Sequence, residues 1–368
     1  MKILHVYKNY YPESIGGVEK CIYSLVDSLH KKGVGNSILT TTHQRKFFEN
    51  NLGTGHVYYF PTTFSAASCP VSRQMLLHFK KIAEAYDIVH CHFPWPWADA
   101  MVLTSKINKP LVITYHSDIV RQKWLNRIYA PMMHRFLHRA DAIVATSQNY
   151  QNSSQVLAQY QTKTSVIPIG VDRSLYPNPI PEKLAYWKKK VGCNFFLFIG
   201  VLRYYKGLEF LIEAMENTHI PLVIIGKGPE EIKLKAIAQA KKLTNVKFVG
   251  AVDEEDKVAL IQLCRAVIAP SHLRSEAFCI SLLEGLLFGK PLISTEINTG
   301  TSFVNRHNVS GLVVPPENPQ ALRQAMLTLL EDNALYQRLQ QGAVQHYQQH
   351  FTGERVAAQY LEVYRKIS

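Results

Sequence analysis

Phe195-Phe196-Leu197-Phe198-Ile199-Gly200-Val201-Leu202-Arg203-Tyr204-Tyr205-Lys206-Gly207 is the stretch on which the fold turns. An unbroken apolar run closed by a glycine predicts a strand buried on both faces, and a helical pattern, residues 207–215, follows at once. The alternation continues through strand-like 222–225, helical 229–242 and strand-like 246–249, 266–269 and 291–294. Upstream, the runs 2–7, 37–41, 56–60, 88–92, 111–115 and 142–146 already form one such series, with helical stretches such as 18–32 between several of them. The run at 195 is therefore a restart. The chain reads as α/β, with two Rossmann-like halves, each a doubly wound parallel sheet.

The length of 368 residues suits two domains. Their boundary is expected within 169–182, where Pro177, Pro179 and Pro181 follow Pro168 in a polar segment that continues neither helix nor central strand. The expected domains are 1–170 and 171–351, hinged about a cleft. Residues 344–367 read as one or two helices broken near Phe351-Thr352-Gly353, and helix 352–368 is expected to join the first domain.

Lys and Arg number 41 against 28 Asp and Glu, a formal charge of +13, and 47% hydrophobic residues exclude disorder as the main state. Residues 1–170 hold 18 of the cations and 9 of the acids, so the surplus is concentrated there. That half is expected to meet an anionic surface or ligand, with nucleic acid, lipid headgroups and a phosphorylated substrate as candidates. Six scattered cysteines without a Cys-x-x-Cys pair read as reduced thiols of a cytosolic protein. The start of the chain has no signal with a long apolar core, and no run of about 18 apolar residues is present, so any work at a membrane is expected from its surface.

Chemistry is suggested first by Ser275-Glu276-Ala277-Phe278-Cys279-Ile280-Ser281-Leu282-Leu283-Glu284-Gly285. A helix opening after the strand 266–269 would offer free N–H groups to a diphosphate, with Glu276 accepting from sugar hydroxyls and Glu284 from a ribose. The plain alternative makes Glu276 a helix-terminal charge and Glu284 a solvated residue. Arg203 and Lys206 follow a strand's carboxyl end, where they can clamp a pyrophosphate; otherwise they are solvated cations in a turn. Gly16-Gly17 opens a helix after the first strand and allows close backbone approach, or only a tight turn.

Thr114-Tyr115-His116-Ser117-Asp118 ends another strand. There His116 can donate to a substrate hydroxyl and Asp118 can orient it or a sugar, unless the histidine is structural. His90-Cys91-His92 makes a poor metal site because adjacent strand residues point to opposite faces. No Asp-x-Asp occurs, which removes the usual sequence sign of a metal-held nucleotide-sugar diphosphate, and no metal or cofactor is expected. His92-Phe93-Pro94-Trp95-Pro96-Trp97 either shapes an acceptor cleft, docks at headgroups or packs a loop.

Taken in order, Gly16-Gly17, Val166-Ile167-Pro168-Ile169-Gly170-Val171-Asp172, Gly200 to Gly207 with its two cations, Gly226-Lys227-Gly228-Pro229, and Glu276 through Glu284 resemble the retaining glycosyltransferases of family four, which have the GT-B architecture of two Rossmann-like domains. The resemblance spans essentially the whole chain. Tyr115-His116-Ser117-Asp118-Ile119-Val120-Arg121-Gln122, Phe196 to Gly207, Pro270-Ser271-His272-Leu273-Arg274-Ser275-Glu276-Ala277-Phe278 and Gly300-Thr301-Ser302-Phe303-Val304-Asn305 look like bacterial O-antigen mannosyltransferases and rhamnosyltransferases. That group uses GDP-mannose or GDP-rhamnose and builds lipopolysaccharide glycans on a polyprenyl diphosphate carrier.

The resemblance implies that Arg203 and Lys206 bind the donor diphosphate, Glu276 the donor sugar, Glu284 the ribose, and the amides of Cys279, Ile280 and Ser281 the distal phosphate. His116 would face the sugar and help stabilise the transition state, and Gly16 and Gly17 would border the donor phosphate and acceptor. Val249 and Val252, within 248–252, would lie along the base, and Asp118 and Arg121 are assigned to the acceptor. Cys279 stands where the family commonly has glycine, so either the backbone there suits a side chain or donor binding is weakened.

The expected activity is metal-independent transfer of mannose from GDP-mannose to a lipid-linked glycan, at the inner face of the cytoplasmic membrane. Arg121, Lys123, Arg127, Arg135 and Arg139 are expected on the membrane or acceptor face. The competing readings are a transferase using a UDP-sugar, a GT-B-like sugar-nucleotide epimerase, a catalytically dead relative and a basic nucleic-acid-binding module. No nucleic-acid motif supports the last, and nucleic acid is not expected as a partner.

Overall fold

Short runs of β-branched and aromatic residues become strands in the first unit: β1 (Lys2–Val6), β2 (Gly35–Thr42), β3 (Phe48–Asn51), β4 (His56–Pro61), β5 (Phe64–Ala66), β6 (Cys69–Val71), β7 (Ile88–Phe93), β8 (Leu111–Tyr115), β9 (Ala142–Ala145) and β10 (Thr164–Val166). The structure, a computed structural model, describes residues 1–14, 16–119 and 123–368. Eight strands form one sheet in the order β10-β9-β8-β7-β1-β2-β4-β3. Every neighbour is parallel except β3, which runs antiparallel on β4 at the edge. β7 and β8 are buried along their whole length, as central strands between two helical layers must be.

The register places Ile3 beside Ile88 and His5 beside His90, then His90 beside Val112 and His92 beside Thr114, so these side chains share one face. Helix Gly17–His30 and helix Gly353–Ile367 cover that face. The second of these helices carries its apolar residues in one stripe: Val356, Ala357, Tyr360, Val363 and Tyr364 recur at helical spacing and are all buried. Thr352 caps it, its hydroxyl accepting from the Arg355 N–H at 3.4 Å. Residues 1–170 and 352–368 therefore form one unit, and residues 171–351 the other.

The second unit holds β11 (Phe196–Ile199), β12 (Leu222–Ile225), β13 (Val246–Gly250), β14 (Ala266–Ala269), β15 (Leu292–Thr295) and β16 (Gly311–Val314). They make one parallel sheet ordered β13-β12-β11-β14-β15-β16. Counted from β11 this is the Rossmann order 3-2-1-4-5-6, which reverses between β11 and β14 and leaves a ligand crevice beyond their carboxyl ends. Pro181 opens the unit's first helix, Pro181–Val191, where its missing N–H costs nothing.

Five strands differ from the periodicity. β3 is the polar Phe-Glu-Asn-Asn, tolerated because it pairs on one side only; β5 and β6 form a separate three-residue hairpin; β10 has three residues, and β16 is a short Gly-Leu-Val-Val run. Each is too short or too polar to show a period.

Candidate active site

Beyond β11 the chain turns through Arg203, a 3-10 turn at Tyr204–Lys206, and Gly207 before helix Leu208–Ala214. Gly207 has φ +66°, and a Cβ there would lie 2.0 Å from the Pro270 carbonyl oxygen, so only glycine lets the loops after β11 and β14 touch. Gly226, φ +134°, does the same between the loops after β12 and β11, with Gly200 O at 1.9 Å from its would-be Cβ.

This contact brings Lys206 onto Glu276. Lys206 Nζ and Glu276 Oε2 form an ion pair, and Ser271 Oγ donates to the same oxygen at 3.2 Å. Burial alone would lower the Lys206 ammonium, but the Glu276 carboxylate outweighs it and holds Lys206 above the ordinary lysine value. Arg203 is exposed on the same loop. A fixed cation, an exposed cation and a carboxylate thus stand at the switch point.

Cys279 starts helix Ile280–Leu287 at φ 69° and ψ 82°, the left-handed region that favours glycine. The backbone keeps that geometry despite the side chain, and Cys279 Sγ lies 3.3 Å from Ser281 Oγ. Burial, then the Glu276 carboxylate, pushes the thiol up to about 11, so it stays neutral beside the helix N-terminus. Glu284 is buried in that helix rather than solvated. Its Oε1 accepts from Lys257 Nζ at 2.8 Å and from the Tyr176 hydroxyl at 3.0 Å, and Lys257 also meets Glu254 at 2.8 Å. Burial would lower Lys257, but the Glu284 and Glu254 carboxylates outweigh it. Sequence reasoning misses Lys257 and Tyr176, because nothing local marks a lysine 27 residues away as the glutamate's partner. Val249 lies in β13 and Val252 just beyond it, both half-buried.

In the first unit Gly16 caps and Gly17 opens helix Gly17–His30, with Glu19 folded back so that a Cβ on Gly16 would meet its Oε2 at 2.3 Å. Ser14 Oγ donates to Glu19 Oε1 at 3.0 Å. His116 follows β8 directly, its N–H bonded to Phe93 O at 3.0 Å. Its side-chain partner is His92, whose Nδ1 lies 3.0 Å from His116 Nε2. Asp118 accepts from the Tyr115 hydroxyl at 2.8 Å and from Ser154 Oγ at 2.7 Å.

Arg121 lies outside the described residues, as does the side chain of Lys123. Arg127 and Arg135 are exposed on helix Lys123–Arg139. Arg139 belongs elsewhere: it bonds Asp141 at 3.1 Å and the carbonyls of Ile107 and Lys109, tying the helix end to a loop. Trp95 packs a loop, fully buried with Nε1 donating to Pro70 O at 3.0 Å. Cys91 points away from His90 and His92, as expected, but the two histidines share their face with His5. One ring nitrogen of each lies within 4.8 Å of the others. Both His90 nitrogens bond hydroxyls, Tyr364 at 2.8 Å and Thr114 at 2.7 Å, and His5 and His92 bond each other, so the group is built as a hydrogen-bond network.

Two Rossmann-type units on one chain, the second with cations and a carboxylate at its switch point, are the components of the GT-B class of glycosyltransferases. Among solved structures, sucrose-phosphate synthase from Thermosynechococcus elongatus superposes with a TM-score of 0.82 at 20% identity, covering 99% of this chain and 98% of that one. HepE of Anabaena, solved with UDP, gives 0.78 at 20% identity over the whole of both chains. Residues 15–175 match the family described as Glycosyltransferase Family 4, and residues 180–346 that described as Glycosyl transferases group 1.

The chain belongs to the family-four glycosyltransferases and is a hexosyltransferase. It is 47% identical to the D-rhamnosyltransferase WbpZ of Pseudomonas aeruginosa over 96% of this chain and 92% of the relative. It is 43% identical to the O-antigen chain mannosyltransferase C of Escherichia coli over 99% of this chain and 98% of the relative.

Proposed function

We propose that the protein transfers mannose from GDP-mannose, with the anomeric configuration retained, to a polyprenyl-diphosphate-linked glycan during O-antigen assembly. The observation that supports a diphosphate-sugar donor is the Lys206–Glu276 pair at the switch point of the second sheet, and the choice of mannose rests on the 43% identity to the O-antigen chain mannosyltransferase C. A diphosphate seated there meets a lysine already held in its charged form and the exposed Arg203, while Glu276 accepts from the sugar hydroxyls. Cys279, Ile280 and Ser281 offer amides to the distal phosphate, Glu284 takes the ribose, and Val249 and Val252 flank the base. His116 meets the sugar, Gly16 and Gly17 meet the donor phosphate and the acceptor, and Asp118 with Arg121 serves the acceptor.

The acceptor hydroxyl attacks the anomeric carbon on the face from which the diphosphate departs. The C–O bond to the phosphate breaks as the new one forms, the leaving phosphate oxygen takes the acceptor proton, and Arg203 and Lys206 stabilise the charge left on the diphosphate. Among the described residues no helix is long and apolar enough to cross a membrane. The enzyme works from the cytoplasm, with its basic first unit on the anionic inner face of the cytoplasmic membrane.

The D-rhamnosyltransferase relative favours a second donor, GDP-rhamnose, whose sugar is mannose without the hydroxyl at carbon 6. Incubation with GDP-, UDP- and ADP-sugars decides the matter: GDP release from GDP-mannose only when a lipid-linked acceptor is present supports the proposal, and preference for GDP-rhamnose replaces the sugar. Release from a UDP-sugar alone would sink both.

A further inference from the structure

The buried histidines of the first unit are joined in series. Asn36 Nδ2 donates to the carbonyl oxygens of Val34 at 3.0 Å and Val26 at 3.4 Å, which turns Asn36 Oδ1 toward His5 Nε2, 3.3 Å away. His5 Nδ1 lies 3.3 Å from His92 Nε2, and His92 Nδ1 lies 3.0 Å from His116 Nε2. His90 stacks on His92 with centroids 4.4 Å apart and holds the plane of that ring.

A neutral imidazole has one N–H and one lone pair, so each link dictates the next. Asn36 Oδ1 can only accept, and His5 therefore carries its proton on Nε2 and offers a lone pair at Nδ1. His92 must then donate from Nε2 and accept at Nδ1. His116 must in turn donate from Nε2.

We infer that Asn36, His5 and His92 are positioning residues that fix the tautomer of His116, leaving Nδ1 with a lone pair, so that His116 accepts a hydrogen bond from a sugar hydroxyl instead of giving one. The direction is opposite to the donating role expected from the sequence. The rings are neutral, as the series requires: burial lowers His5 to about 4 and His116 to about 3, and holds His92 well below the usual histidine value. The identity of the hydroxyl rests on the function proposed above; the order of the protons does not.

Histidine-selective 15N labelling of the whole protein, with long-range 1H–15N correlation, separates protonated from bare ring nitrogens, and His116→Gln identifies that ring's signals. The expected spectrum has His5, His92 and His116 each protonated at Nε2 and bare at Nδ1. A His116 ring protonated at Nδ1 overturns the inference whatever the transfer assay gives. A wild-type enzyme that transfers no sugar overturns the proposed function and leaves the proton order standing.

The positioning role is read from a pair of variants. His92→Gln keeps an oxygen for His116 and an N–H for His5, and its kcat is expected within about threefold of the parent. His92→Phe keeps a ring without either group, and its kcat is expected to fall about tenfold or more with the donor KM little changed. Equal turnover in the two variants would remove the positioning role.

Discussion

Lys206 and Glu276 stand seventy residues apart in the chain and close an ion pair where the strand order of the second sheet reverses. Removing either partner leaves the other charge buried and uncompensated. Lys206→Met and Glu276→Gln are each expected to lower stability by about 3 kcal/mol, and the double variant by less than the sum, measured by urea unfolding. Turnover of Lys206→Met is expected to fall about 100-fold. Undiminished turnover would remove Lys206 from the site.

Glu284 has two candidate roles, ribose binding and neutralising Lys257, and they separate by experiment. Glu284→Gln is expected to cost up to about 3 kcal/mol, because buried Lys257 is left with only the half-exposed Glu254 as its counter-charge, and to raise the donor KM. Lys257→Met with Glu284→Leu is expected to recover most of the stability, because an apolar pair replaces the buried charges. If donor affinity returns with stability, the ribose role is wrong.

Cys279 holds a left-handed backbone that costs a side-chain-bearing residue about 1–2 kcal/mol. Cys279→Gly is expected to keep or raise the melting temperature and to leave the donor KM unchanged or lower. Cys279→Val, branched at Cβ, is expected to destabilise the loop that leads into helix Ile280–Leu287 and raise that KM. A Val variant with the parent's KM would show that the loop does not touch the donor.

Asp99 is buried against the Tyr129 hydroxyl, and burial raises it from 3.8 to about 8 against the lowering effect of that bond. Between those values the folded protein holds a proton that the unfolded chain has released. Stability therefore falls as pH rises from about 4 to about 8, where the loss is complete. Asp99→Asn, still able to accept from Tyr129, is expected to melt above the parent by a margin that grows between pH 5 and pH 8. A margin independent of pH would place the proton elsewhere.

Arg127 and Arg135 are exposed on helix Lys123–Arg139 with Ile128, itself 65% exposed. Replacing both arginines with Gln is expected to weaken binding to anionic vesicles about thirtyfold, at about 1 kcal/mol per charge, and to leave donor binding intact. Unchanged vesicle binding would make these residues ordinary solvated cations.

The two-Rossmann architecture is legible in the sequence because Phe196–Ile199, Leu222–Ile225 and Ala266–Ala269 are uniformly apolar and bounded by turns, as buried parallel strands are. Lys206 and Glu276 can be placed at carboxyl ends of strands without knowing that they touch. What stays hidden depends on register. His90 and His92 are visible as neighbours within one strand, whereas their third partner His5 lies 87 residues before His92 and is brought alongside only by the pairing of β1 with β7. The Lys257–Glu284 pair is hidden for the same reason, since each looks like a surface helix residue until the helices pack.

The helix Gly353–Ile367 also fixes an order of events during synthesis. Ile3, Leu25, Leu29, Ile88 and Val112 pack beneath Val356, Tyr360 and Tyr364, which are made only after the 181 residues of the second unit. Until then the first 170 residues carry an uncovered apolar face on the ribosome, and a chain stopped at residue 351 is expected to bind an apolar-surface dye that the full chain does not. The second unit, continuous in sequence, can complete its core first, so the half made earlier is the half finished later.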